Sequence, residues 1–253
     1  LSAAGRGPGG GSNYEDGAGH GGGGSSPSGL YCGTYGSLAA PENPGSGGGG
    51  HPTSAGGNGG GVVRIQAEGE VRIDGSINAN GESLAGSKNR GGGSGGSIFV
   101  TCRTFRGSGR LSACGGGSAA TVNGGAGGGR IAVVYDTAAQ SALGEQPAAM
   151  LDVNRSVGYY NKVYYYGERG TLHLPPDGLL LQPVVTNLIG RLYGPAAWAP
   201  DSLLVKNAWL RFCEDGFALT VAEDLTVTGT DTALGVGGGE CRMDGSAWRY
   251  HGT

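Results

Sequence analysis

The sequence predicts an all-β chain: a parallel β-helix or solenoid whose strands are joined by Gly-rich, polyglycine- or polyproline-II-like connectors. Three observations lead there. Apolar and polar residues alternate over short stretches, the period of a strand buried on one side. A strand–turn–strand unit recurs along the chain. The strands are very short and are punctuated at even spacing by Gly, Asn and Asp. A β-sandwich is the alternative, especially for residues 170–253.

Glycine divides the chain. Residues 1–130 hold 43 of the 58 glycines and residues 131–253 hold 15. We therefore read 1–136 as a Gly-rich β repeat region and 137–253 as a solenoid or sandwich-like continuation. Within the first region, residues 5–61 have almost no apolar periodicity and carry Gly runs, Ser, Asn and five prolines. A structureless loop of that length is unusual inside a compact domain. Packed polyglycine strands resolve the difficulty, because they need no side chains in a core and let backbones approach closely.

Residues 62–73 alternate cleanly: Val63, Ile65, Ala67, Gly69, Val71 and Ile73 share one face, and Arg64, Gln66, Glu68, Glu70 and Arg72 the other. Asp74-Gly75 makes a turn, and "INANG" (77–81) a shorter strand with Ile77 and Ala79 inward. The segment 97–115, "SIFVTCRTFRGSGRLSACG", has the same layout. Its "LSACG" lies 34 residues after "INANG", and "LSAAG" at residues 1–5 matches the unit again. A further strand begins at "GGGRIAVVYD", with Ile131, Val133 and Tyr135 on one face. Only residues 137–151 suit a helical turn or two. Downstream, short strands are expected at Leu203–Val205, Trp209–Phe212, Leu219–Val221, Leu225–Val227 and Leu234–Val236. Asn207, Asp215-Gly216, Asp224 and Gly229 punctuate them.

Composition excludes several function classes. Charged residues are 15% of the chain and the net charge is −3, which gives no pull toward nucleic acid or an anionic membrane surface. No run of 18 apolar residues exists, so no membrane-spanning helix is expected. The sequence begins at Leu1 without a leader, and we read it as a mature product or a fragment. The Gly runs lack GxxxxGK[ST], so nucleotide binding is not expected. His20, His51, His173 and His251 show no metal-binding spacing, no GxSxG elbow is present, and the carboxylates are scattered along the chain. No catalytic residue, metal site or cofactor is expected, and the chain reads as a non-enzyme.

Three features remain as candidate sites. Tyrosines gather at "YYNKVYYYG" as Tyr159, Tyr160, Tyr164, Tyr165 and Tyr166, suited to contact with sugar rings or a partner as well as to strand packing. Asn154-Arg155-Ser156 is the single N-glycosylation sequon, which makes Asn154 a glycosylation candidate. Five cysteines (Cys32, Cys102, Cys114, Cys213 and Cys241) lack CxxC pairing, so buried thiols and disulfides are both open.

The ordered run "GGGVVRIQAEGEVRIDGSINANG…GGGSGGSIFVTCRTFRGSGRLSACGGG…GGAGGGRIAVVYD" resembles a Gly-rich repeat of very large secreted or cell-surface proteins of bacteria and aquatic microbial eukaryotes. The resemblance covers roughly residues 1–136 and lies in order and spacing as well as in Gly content. Residues 167–187 look like the strand pair that often follows, and residues 202–237 are similar to the β-helix rungs of bacterial adhesins and autotransporters. It implies an extracellular or cell-surface structural role as adhesin, coat or fibril, and it brings no catalytic residues. Cys102 and Cys114 depart from the repeat, standing where small or Asn-like residues are typical, which adds weight to disulfides. The expected pairs are Cys102–Cys114 and Cys213–Cys241. The functional expectation is a secreted structural glycoprotein that self-associates into a filament or larger surface assembly, with glycans as further partners. The alternatives are a carbohydrate- or surface-binding module and, after it, a polysaccharide-active β-helix enzyme.

Overall fold

The computed structural model describes residues 4–29, 31–84, 90–117, 122–144, 147–175, 184–236, 240–244 and 247–251, with side chains described up to residue 236. The match of residues 1–5 to the repeat therefore falls largely outside the described residues. Among the described residues 36% are strand and 2% helix.

The strands form successive rungs. The first holds β1 (Val62–Gln66), β2 (Glu70–Arg72) and β3 (Ser76–Asn78), and the second β4 (Ser97–Cys102), β5 (Thr104–Arg106) and β6 (Arg110–Ser112). The third holds β7 (Arg130–Tyr135), the short helix α1 (Thr137–Ser141) and β8 (Met150–Asp152). A hairpin of β9 (Val157–Tyr160) and β10 (Val163–Tyr166) follows, then β11 (Thr171–His173). Next come β12 (Val184–Thr186), β13 (Leu188–Tyr193) and β14 (Ala197–Trp198), then β15 (Leu203–Lys206), β16 (Trp209–Phe212) and β17 (Ala218–Leu219). Last are β18 (Leu225–Thr228), β19 (Ala233–Val236) and a second hairpin, β20 (Glu240–Asp244) with β21 (Ala247–His251).

The rungs stack in parallel. One ladder runs β1–β4–β7–β11–β13–β16–β19 and another β3–β6–β8–β13, together a ten-stranded sheet. Strand β13 joins the two: Leu188 and Ile189 pair with β8, while Arg191 to Tyr193 pair with β11. The sheet is thereby bent back until it is nearly closed into a barrel-like shape. The sequence offset becomes the register, because Ile77 pairs with Leu111 and Val71 with Phe105, each 34 residues apart. The expected continuous strand over 62–73 is instead two, bent at Ala67–Gly69, and the second piece starts a separate ladder of β2 with β5. The inward residues are nevertheless those that alternate: Val63 and Ile65 pack against the core, and Val71 and Ile73 are buried.

The sandwich alternative is overturned for residues 184–236. The ladders β12–β15–β18, β13–β16–β19 and β14–β17 are all parallel, whereas a sandwich is built from antiparallel pairs. Four of the five strands expected there are present, the expected Leu219–Val221 being replaced by the shorter β17 at Ala218–Leu219, and Asn207, Gly216 and Gly229 turn the chain with positive φ. Antiparallel pairing is confined to β9–β10 and β20–β21 among the named strands.

One core serves both halves, drawing Ile98, Ile131, Leu172, Leu192 and Leu210 from one ladder and Leu111, Leu151 and Leu188 from the other. Buried residues of both ladders belong to a single cluster. Helix α1 starts at Asp136, whose carboxylate accepts from the Ala139 amide, and it delivers Gln140 into the core. The Gln140 amide accepts from the Phe105 N–H (2.8 Å) and donates to the Phe105 carbonyl (2.9 Å). A side chain thus stands in for the next strand on β5 and leaves neither buried backbone group unpaired.

The Gly-rich segments bond to one another in a regular way. Along 91–96 the partner changes with a period of three. Gly91 and Ser94 donate to Gly49 and Ser46, and Gly92 and Gly95 donate to Gly124 and Gly127. Gly96 donates to Ala79, and Gly93 accepts from Gly116. Three neighbouring segments thus surround one whose single side chain, Ser94, itself bonds to Ser46 of a neighbour.

His20 is sealed among these segments. It is fully buried, its Nδ1 bonds to the Gly95 carbonyl (2.8 Å), and its ring lies 4.6 Å from that of Tyr35. Burial, with a smaller push from the Arg130 charge, lowers its pKa from the ordinary 6.5 to about 4. In that interval the unfolded chain binds a proton that the folded chain refuses, so stability falls as pH drops from 6.5 toward about 4. The loss approaches roughly 3 kcal/mol at the acid end. Urea midpoints at pH 7 and pH 4 should converge in His20→Gln relative to the parent protein. An equal acid loss in both would assign the effect elsewhere.

Candidate functional site

Two surfaces stand out: a tyrosine face on the β9–β10 hairpin and the terminal strands of the stack. The hairpin turns at Asn161-Lys162, both at positive φ (47° and 66°), as a two-residue primed turn requires. Tyr159 pairs with Tyr164 and Tyr160 with Val163. Side-chain alternation then splits the cluster expected from the sequence. Tyr159, Tyr164 and Tyr166 come together, with ring centres 4.8 Å apart for the first two and 6.3 Å for the last two. The Arg155 guanidinium sits 4.7 Å from the Tyr166 ring centre, a cation–π contact that backs the face. Tyr164 is 53% exposed. Tyr160 and Tyr165 sit at positions that point to the other side of the hairpin. Arg155, two residues before β9, carries no local sequence signal of this role, which depends on the hairpin bringing Tyr166 back beside it.

Asn154, the sequon residue, is half-buried beside this hairpin. Its side-chain oxygen accepts from the Arg155 amide (2.9 Å), and its backbone carbonyl accepts from Gly115. Ser156 of the same sequon is buried, and its hydroxyl accepts from the Ala126 N–H (2.8 Å).

The expected Cys102–Cys114 disulfide is not formed; both are free thiols, as are Cys32 and Cys213. The strand–turn–strand unit sends the two residues to different ladders. Cys102 ends β4 opposite Tyr135, with its thiol toward the Val134 carbonyl, whereas the Cys114 thiol contacts the Asp152 carbonyl (3.6 Å) and Ser112 (3.4 Å). Burial pushes each thiol up to about 11, so little thiolate is present at neutral pH to attack a partner. The side chain of Cys241, and with it the expected Cys213–Cys241 pair, lies outside the described residues, as does that of His251.

The terminal strands are the second surface. Among the described residues β1 pairs only with β4, β18 only with β15 and β19 only with β16. All four residues of β18 are exposed, Leu225 at 51% and Val227 at 44%, and Val236 of β19 is 50% exposed. At the other end Val62 is exposed, and Arg64 forms an ion pair with Glu42 (2.7 Å).

Among the described residues no group of three or more His, Cys, Asp or Glu is placed to hold a metal ion, and no helix is long and apolar enough to cross a membrane. Fold and geometry define a nearly all-β protein with a large parallel sheet. Comparison with family models, with curated proteins and with solved structures gives no match in any of the three.

Proposed function

We propose that the chain is a non-catalytic structural segment of an extracellular or cell-surface fibril, coat or adhesin, built as a parallel β-solenoid. The 34-residue register shared by β2–β5 and β3–β6 and the parallel ladders support the solenoid reading. The three-residue period of bonding along 91–96 supports polyproline-II-type packing of the connectors, since that chain has three residues per turn.

The observation that carries the function is the state of the last rung. Natural sheets usually protect an edge with Lys, Pro, a bulge or a covering segment. Strands β18 (Leu-Thr-Val-Thr) and β19 (Ala-Leu-Gly-Val) carry neither charge nor Pro, and Leu225, Val227 and Val236 are open. The occupant that fits is the β1 edge of a second copy, which would continue the stack in the same direction. Such a contact is heterologous and does not close, so it grows a filament.

Sedimentation and negative-stain imaging test this. The parent protein should form concentration-dependent fibres, and the double variant Leu225→Lys/Val227→Lys should stay monomeric with an unchanged melting temperature. A parent protein that remains monomeric at all concentrations would refute the assembly.

A carbohydrate-binding role is the second reading, favoured by the grouped rings of Tyr159, Tyr164 and Tyr166 over Arg155. Flat exposed aromatics suit sugar rings as well as protein partners. Monodisperse protein that loses glycan binding on Tyr164→Ala would favour this reading over the first.

A further inference from the structure

The outer face of the main ladder carries a row of aligned residues. Thr171 of β11 pairs with Arg130 of β7 on one side and with Arg191 of β13 on the other. In a parallel in-register ladder such residues point the same way, so two guanidinium groups flank one hydroxyl. Over this row the Gly-rich segment near Gly21 and Tyr35 forms the opposite wall of a cleft of about 320 Å³, which Tyr193 also lines.

The charges in this cleft do not balance. Arg130 is only 4% exposed, and among the described residues its donors reach neutral acceptors alone: the Tyr35 and His20 carbonyls and the Thr171 hydroxyl (2.9 Å). Arg191 lies 3.5 Å from Glu168 and donates to the Gly21 carbonyl, yet its Nε is buried with no hydrogen-bond partner among the described residues. Two cations thus face one carboxylate. Burial and the neighbouring Arg191 charge together lower the Arg130 pKa to about 10, while His20 behind it is held neutral. An uncompensated buried cation is costly, and a planar guanidinium with a free donor is suited to an oxyanion.

We propose that this cleft binds an oxyanion, a sulfate or carboxylate group, held by Arg191 and Arg130 with the Thr171 hydroxyl between them. The inference does not depend on filament formation, and the monomeric edge variant serves as well as the parent protein. The group could arrive as a free ion or as part of an acidic glycan; the experiment separates the two.

Titration calorimetry is run at constant ionic strength with sodium sulfate, with a sulfated galactan oligosaccharide and with its desulfated counterpart. Saturable binding of inorganic sulfate assigns a free-ion site; binding of the sulfated oligosaccharide alone assigns a glycan site. Either outcome supports the proposal. Arg191→Gln should weaken binding by about 10- to 100-fold, the worth of one lost charge-assisted bond. Arg64→Gln, an exposed arginine on the same sheet, should leave it unchanged. Should Arg191→Gln fail to fold, amide shifts of the parent protein on sulfate addition decide, and they should centre on Gly21, Thr171 and Tyr193. Equal affinity for the desulfated sugar, no binding of any probe, equal loss in Arg64→Gln, or shifts centred elsewhere would overturn the proposal.

Discussion

Replacing Gly127 by valine is expected to destabilise the protein by more than about 3 kcal/mol, the upper end of ordinary overpacking. A Cβ at this position would lie 1.9 Å from the Gly22 carbonyl oxygen and 2.5 Å from its carbon. Both are backbone atoms, and Gly22 is itself held by a hydrogen bond to Gly128, so no rotamer change makes room. The segments would have to separate, breaking the lateral bonds around Gly127, which accepts from Gly95 and donates to Ala18. Gly69→Ala is the control: at the bend between β1 and β2 an added Cβ meets nothing within 4 Å. Its stability should change by no more than about 0.5 kcal/mol. Thermal melts should therefore separate the two glycines by about 5 °C or more at roughly 2–4 °C per kcal/mol for a chain of this size. Similar melting of both variants would mean that the Gly segments are not packed backbone to backbone.

Phe105→Ala is expected to cost about 3–5 kcal/mol, the usual range for a large aromatic side chain removed from a core. Phe105 is fully buried on β5, beside Val71 of the preceding rung, and its backbone is fixed on both polar groups by Gln140. The backbone cannot collapse into the void without breaking those two bonds, which places the cost toward the upper part of the range. Tyr164→Ala, with the side chain half in water, should cost far less. Denaturant unfolding with unchanged m-value reads the difference directly. A loss below about 1 kcal/mol for Phe105→Ala would show that the rungs do not share one core.

Much of this architecture was legible because strand periodicity and repeat spacing are local signals. Ile98, Val100, Ile131 and Val133 alternate with outward residues, and all four are fully buried. The 34-residue offset between "INANG" and "LSACG" was already the pairing register of β3 and β6. What the sequence could not show is how ladders share strands. Nothing in "LIGRLY" announces that β13 pairs with β8, β11 and β16 at once, since that depends on three distant segments arriving together. The Cys102–Cys114 pairing fails for the same reason, because twelve residues that contain a corner carry the two cysteines to different ladders. The tyrosine cluster was visible as composition, but only the turn at Asn161-Lys162 decides which three rings meet. The buried arginines were invisible. Arg130 and Arg191 carry no local mark of burial, and it is the Gly-rich segment folded over them that removes them from water.

In the proposed solenoid, repeat units stack in parallel, one unit per rung. Cross-strand NMR contacts on isotope-labelled protein, taken with the edge variant to keep it monomeric, test it most directly. Amide and α-proton cross-peaks are expected linking Ile77 to Leu111 and Leu111 to Leu151, the spacing of adjacent parallel strands about 4.8 Å apart. Absence of these contacts, or α-proton pairs of antiparallel type between the two repeat units, would contradict it.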